Sequence, residues 1–175
     1  MTPTREATRR RILLATAQAL ADEAGRSMGE IAAVAGVARG TLYRYFPTRE
    51  SLLSALEAAA TEEAERGLVR ANLDGVSVEE GLARAARALV AVGQHYIVLL
   101  RERRPPEPSF AAPLVDLVQR GVDKGELRSD VPVHLLVEAL LVLVGVCVRS
   151  GTASGLHSED ISATALGLFL KGARQ

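Results

Sequence analysis

The chain has 175 residues, 48% apolar and 24% charged, with 21 Lys and Arg against 21 Asp and Glu. That is the composition of one ordinary globular domain, or of two small ones sharing a core. The longest uncharged apolar stretches, 88–100 and 139–148, fall short of the ~20 residues of a membrane span, and the arginine-rich start lacks the apolar core of a signal peptide. A cytoplasmic protein without a membrane partner is expected.

A single cysteine, Cys147, leaves no disulfide framework or cysteine-based zinc site within one chain. The histidines at 95, 134 and 157 share no i, i+3 or i+4 spacing, so two ligands cannot stand on one helix face. Neither a metal nor a cofactor is expected. G-x-S-x-G, G-x-x-x-x-G-K-[ST] and G-x-G-x-x-G are all missing, and nothing argues for an enzyme.

The apolar spacing is helical nearly throughout, which predicts an all-α fold. The first helix covers 4–24, with Ile12, Leu13, Thr16, Ala19 and Leu20 on one face and Gly25 as its stop. Ser27 and Glu30 form a capping box that starts a second helix at Met28, ended by Gly36. A third helix spans 39–45. Pro47 breaks it, and Thr48 caps a fourth that runs into the seventies.

A second capping box, Ser77 to Glu80, opens a long helix to about residue 103, in which Gly93 permits a bend. The proline-rich segment 104–109 is predicted as a loop, followed by a helix over 111–124 and a turn around Gly125. Asp130 is predicted to cap a helix to about residue 150, 151–155 to form a loop, and Ser158 to cap a last helix to about residue 173.

The zero net charge hides an asymmetry. Residues 1–50 carry eight basic and five acidic side chains, and the remaining 125 carry 13 and 16. A basic module on an acidic body fits a polyanion at one end, although uneven solvated charge gives the same sum. Within that module, residues 27–46 hold two short helices joined by a tight turn at Gly36, the pattern of a helix-turn-helix. With Leu42 and Phe46 turned inward, the third helix presents Arg39, Thr41, Tyr43 and Arg44. Arginine forks suit guanine edges or phosphates, and the hydroxyls suit phosphate oxygens. The alternative is that Tyr43 and Tyr45 only pack this helix against the fourth.

The run SMGEIAAVAGVARGTLYRYFPTRESLLSAL, 27–56, resembles the DNA-binding signature of the TetR family of bacterial transcriptional regulators. The resemblance implies an N-terminal three-helix head, 1–48, and a C-terminal helical ligand-binding and dimerisation body, 49–175. It implies a homodimer that binds a near-palindromic double-stranded DNA operator, most simply a repressor, released by an unidentified small-molecule effector. The DNA-contacting set it implies is Ser27, Arg39, Gly40, Thr41, Tyr43, Arg44, Tyr45 and Arg49. Ala38 departs from the family's frequent serine, and Ser27 replaces its frequent threonine.

In the body, the helix over 133–149 is apolar almost all round, so burial on two sides is expected. Paired with the last helix it would form an intersubunit four-helix bundle. The expected interface is Leu136, Leu140, Leu143, Val144 and Cys147 with Ile161, Ala165, Leu168 and Phe169. For a ligand cavity the candidates are Val92, His95, Tyr96 and Leu99, with Phe110, Leu114 and Val118 opposite them. Two other functions stay open: a DNA-binding interaction protein without ligand response, and a small-molecule carrier or enzyme that keeps the head only as structure.

Overall fold

The computed structural model describes residues 4–23, 25–101 and 108–174. Among these it is all helical. The elements are α1 (Arg5–Asp22), α2 (Met28–Val34), α3 (Arg39–Tyr45), α4 (Arg49–Ala71), α5 (Val78–His95), α6 (Ile97–Arg101), α7 (Ala112–Asp123), α8 (Val133–Ala153) and α9 (Ser158–Ala173). A single 3₁₀ turn, Pro108–Ala111, precedes α7. The predicted 104–109 loop lies largely outside the described residues.

The chain divides into two compact units, Met1–Ala60 with His95–Pro106, and Thr61–Gln94 with Glu107–Gln175. In the first, Ile12, Leu20, Ile31, Leu42, Leu52, Leu56 and Leu99 are fully buried. α1 packs on α2 and α6, and α2 packs on α3. Thr4 caps α1 by accepting the Ala7 amide at 3.2 Å, and the buried Thr16 hydroxyl donates to the Ile12 carbonyl at 2.7 Å, so neither polar group is left unmatched.

The second unit is built on α7, α8 and α9, with α8 packed against both neighbours. Leu82, Leu114, Leu117, Leu127 and Leu140 are completely or almost completely buried. Two arginines hold the C-terminal end of α4. Arg84 donates to the Ala71 and Asn72 carbonyls at 3.5 and 3.3 Å, while Arg120 donates to the Leu73 carbonyl at 2.7 Å and to Asp74 at 3.0 Å. Cations placed there meet the orphan carbonyls and the negative end of the helix dipole.

Several local expectations are corrected. The long helix predicted from 78 does not bend at Gly93 but stops at His95, and α6 starts after Tyr96. Ser77 makes its half of the box by accepting the Glu80 amide at 3.2 Å, whereas the Glu80 carboxylate is drawn to Arg84 at 2.8 Å. Asp130 caps nothing. Arg128 takes its carboxylate in a two-pronged bond of 2.7 and 2.5 Å, which holds the carboxyl below its ordinary range, and α8 begins after Pro132.

Residues 151–153, expected as loop, extend α8. Gly151 is there for contact rather than termination: a Cβ on it would lie 2.6 Å from Cγ1 of Ile161. Ser158 is the first residue of α9 rather than its cap, and its hydroxyl donates to Gln94 at 2.7 Å.

α8 is 21 residues long with mean hydropathy 2.0, so by length and composition alone it could cross a membrane, a test that the core helix of a water-soluble fold also passes. Only 28% of its most apolar window is buried in the single chain. The residues expected at the interface differ in burial within the single chain. Leu136, Leu140, Val144, Ile161, Ala165 and Phe169 are buried in the chain's own interior, Leu143 and Cys147 are half-buried, and Leu168 is 51% exposed. The apolar side chains left outside on α8 include Leu135, Ala139, Val142 and Val146, with Val142 at 64% exposure. Burial raises the pKa of the Cys147 thiol, which lowers its thiolate fraction and its reactivity.

Candidate nucleic-acid interface

The head is assembled around the turn between α2 and α3. Ser27 Oγ accepts the Glu30 amide at 3.3 Å, and the Glu30 carboxylate accepts from both the Ser27 amide and the Ser27 hydroxyl at 2.7 Å. The capping box is therefore complete. Gly36 has φ of +63°, the left-handed conformation that lets the chain reverse, and the Val37 amide reaches back to the Ala32 carbonyl at 3.0 Å.

The Ser27 bonds hold the Glu30 carboxyl below its ordinary pKa, with Arg26 assisting. A depressed carboxyl contributes stability that is present above its unfolded pKa and lost as pH falls through the folded one. The start of α2 is thus expected to fray in acid, below the usual carboxylate range. Amide exchange of residues 27–31 followed from neutral pH downward should show this in the natural protein, and Glu30→Gln should flatten the profile.

α3 has no side-chain cap, because Ala38 precedes it. Its orientation is set by Leu42, the one buried residue among its seven, and by Phe46 beyond its end. With those turned inward, Arg39, Gly40, Tyr43 and Arg44 are exposed, and Thr41 and Tyr45 are half-buried. The Arg39 guanidinium lies over the Tyr43 ring at 5.5 Å and that of Arg44 over the Tyr45 ring at 6.0 Å. Stacking of this kind narrows the conformations open to each guanidinium.

The remaining expected DNA-contact residues divide. Ser27 has its hydroxyl hydrogen taken by Glu30, so its role in this geometry is to cap α2. Arg49, the first residue of α4, donates to the Arg26 carbonyl at 2.9 Å, which pins the start of α4 to the segment before α2. Beside α3 lies an open groove of about 650 Å³ lined by Arg5, Thr8 and Arg11 of α1 and by Val37, Ala38, Thr41, Arg44 and Tyr45. The helix-turn-helix pattern does not point to the α1 residues. Their signal in the sequence is the three-residue spacing of Arg5, Thr8 and Arg11.

The candidate ligand residues belong to two compact units. Val92, Phe110, Leu114 and Val118 are buried side chains of the second unit, and Tyr96 and Leu99 are buried in the first. His95 is exposed at the end of α5, its ring 4.8 Å from that of Tyr96.

A helix-turn-helix whose second helix presents paired arginines and hydroxyls is the arrangement with which such motifs meet DNA. Residues 12–56 match the model of the tetR family of bacterial regulatory proteins. The HTH-type transcriptional repressor LfrR of Mycolicibacterium smegmatis is 38% identical over 111 residues, 62% of this chain and 58% of that protein. The HTH-type transcriptional regulator NfxB of Pseudomonas aeruginosa is 25% identical over 173 residues, 93% and 92% of the two chains. Among solved structures, the TetR-like regulator LfrR from Mycobacterium smegmatis in complex with proflavine superposes with a TM-score of 0.78 at 27% identity, over 96% of this chain and 97% of that one. The chain is thus similar to the tetR family of bacterial regulatory proteins over residues 12–56 and shares the fold of a TetR-like regulator over nearly its whole length.

Proposed function

We propose that the protein is a cytoplasmic repressor that binds a near-palindromic DNA operator as a homodimer and is released by a small molecule. Residues 1–48 act as the DNA-binding head and 49–175 as the ligand-binding and dimerisation body, with no membrane partner. The observation that carries this reading is the inward lock of Leu42, which leaves Arg39, Gly40, Thr41, Tyr43 and Arg44 on the outer surface of α3. Arg39 and Arg44 read base edges, while Thr41, Tyr43, Tyr45 and Arg49 meet phosphates.

Support for a homodimer comes from the uncovered apolar stripe Leu135, Ala139, Val142 and Val146 of α8 together with Leu168 of α9. A second copy would cover it by a two-fold packing of the same two helices. Support for a small-molecule effector comes from the relative LfrR, whose solved structure holds proflavine. Such an effector releases DNA only to the extent that it binds the DNA-incompetent conformation better.

Selection of binding sites from random duplex DNA tests the central claim. An enriched palindrome with half-sites about one helical turn apart is expected; no enrichment overturns it. Arg39→Ala should weaken binding by about 1–3 kcal/mol and relax preference at one base pair of each half-site. An equal loss on every sequence would reassign Arg39 to a phosphate.

A further inference from the structure

The groove between α1 and α3 has cationic and hydroxyl groups on both walls. α1 supplies Arg5, Thr8 and Arg11, and the opposite wall supplies Thr41, Arg44 and Tyr45. None of its lining residues is acidic. Guanidinium forks flanked by hydroxyls match the tetrahedral oxygens of a phosphate diester, and they carry no pattern that would distinguish one base from another.

The structure also separates the arginines of the first helix. Arg9 lies over the Phe46 ring at 5.8 Å, where it covers the end of α3. Arg10 is exposed and is not part of the groove lining. Arg11 lines the groove, as does Arg5 nearly two turns earlier.

Resting on the operator-binding reading, we propose that this groove seats the phosphate backbone of one DNA strand. Arg5 and Arg11 neutralise phosphates beside those that α3 meets, so the footprint of each head is wider than its helix-turn-helix. These two arginines add affinity and salt dependence but no sequence preference.

The test is the slope of log affinity against log salt for the full-length protein on its selected duplex. Arg5→Ala and Arg11→Ala are each expected to reduce the slope by about 1, with the same fractional loss on matched and mismatched sequences. Arg11→Lys should keep the slope, because a point charge still neutralises a phosphate, and this variant also controls for folding. Arg10→Ala should keep it as well, although it removes the same charge from the same helix.

Unchanged slopes in both alanine variants of the groove overturn the proposal while leaving operator binding intact. So does a loss in Arg10→Ala equal to that in Arg11→Ala, which would mark a diffuse field instead of a seat. If the unsubstituted protein shows no salt-dependent binding to any duplex, the operator reading falls and the groove proposal falls with it.

Discussion

Val142→Asp combined with Val146→Asp is expected to convert the protein to a monomer and to abolish tight operator binding. Both valines are exposed on α8 in the single chain, at 64% and 41%, so the substitutions leave the chain's own core untouched. In the proposed two-fold interface each aspartate would meet an apolar surface, and a buried unpaired carboxylate is strongly unfavourable. Losing the dimer makes the two half-site contacts independent, which removes about two to four orders of magnitude in affinity. Sedimentation equilibrium beside a DNA titration reads both effects. A variant that stays dimeric would place the interface on another face.

Leu42→Ala is expected to cost about 2–5 kcal/mol, the range for a fully buried leucine that leaves a cavity. That is a large share of the stability of a small domain. The loss falls on the element that carries the reading surface, so DNA binding should vanish while the dimer persists. Denaturant unfolding with separate probes on the two compact units would show the first transition moving to lower concentration. Tyr43→Ala, at a residue 36% exposed on the same helix, should leave that transition within a few tenths of a kcal/mol.

The head was legible because its signals are local. A serine three residues before a glutamate, a glycine at the reversal and a proline after the aromatic cluster each act within one turn, and α3 begins and ends where they place it. The body was less so, because its deciding contacts are distant in sequence. On α8, Leu140 and Val144 face inward while Val142 and Val146 face out, yet all four are apolar, so periodicity alone cannot choose the phase. Gly151 reads as a helix stop until Ile161 is brought against it from the next helix. Asp130 is the local exception: it reads as a cap until Arg128, two residues away, takes its carboxylate. Of the expected DNA-contact residues, Ser27 has the capping use that its spacing to Glu30 announced, its hydroxyl hydrogen going to Glu30.

The seven residues of α3 hold one side chain, Leu42, in the core. The positions proposed to recognise DNA and the position that keeps the helix packed are therefore different. On the operator-binding reading proposed above, replacements at the exposed Arg39, Tyr43 or Arg44 neither open a void nor crowd a neighbour in the interior, so they would change what the helix reads while leaving its packing intact. A lineage carrying this head is free to acquire new operators by single substitutions, each tested on target choice alone. The constraint that slows most functional drift, destabilisation of the fold by the same change that alters the contact, is lifted at this surface.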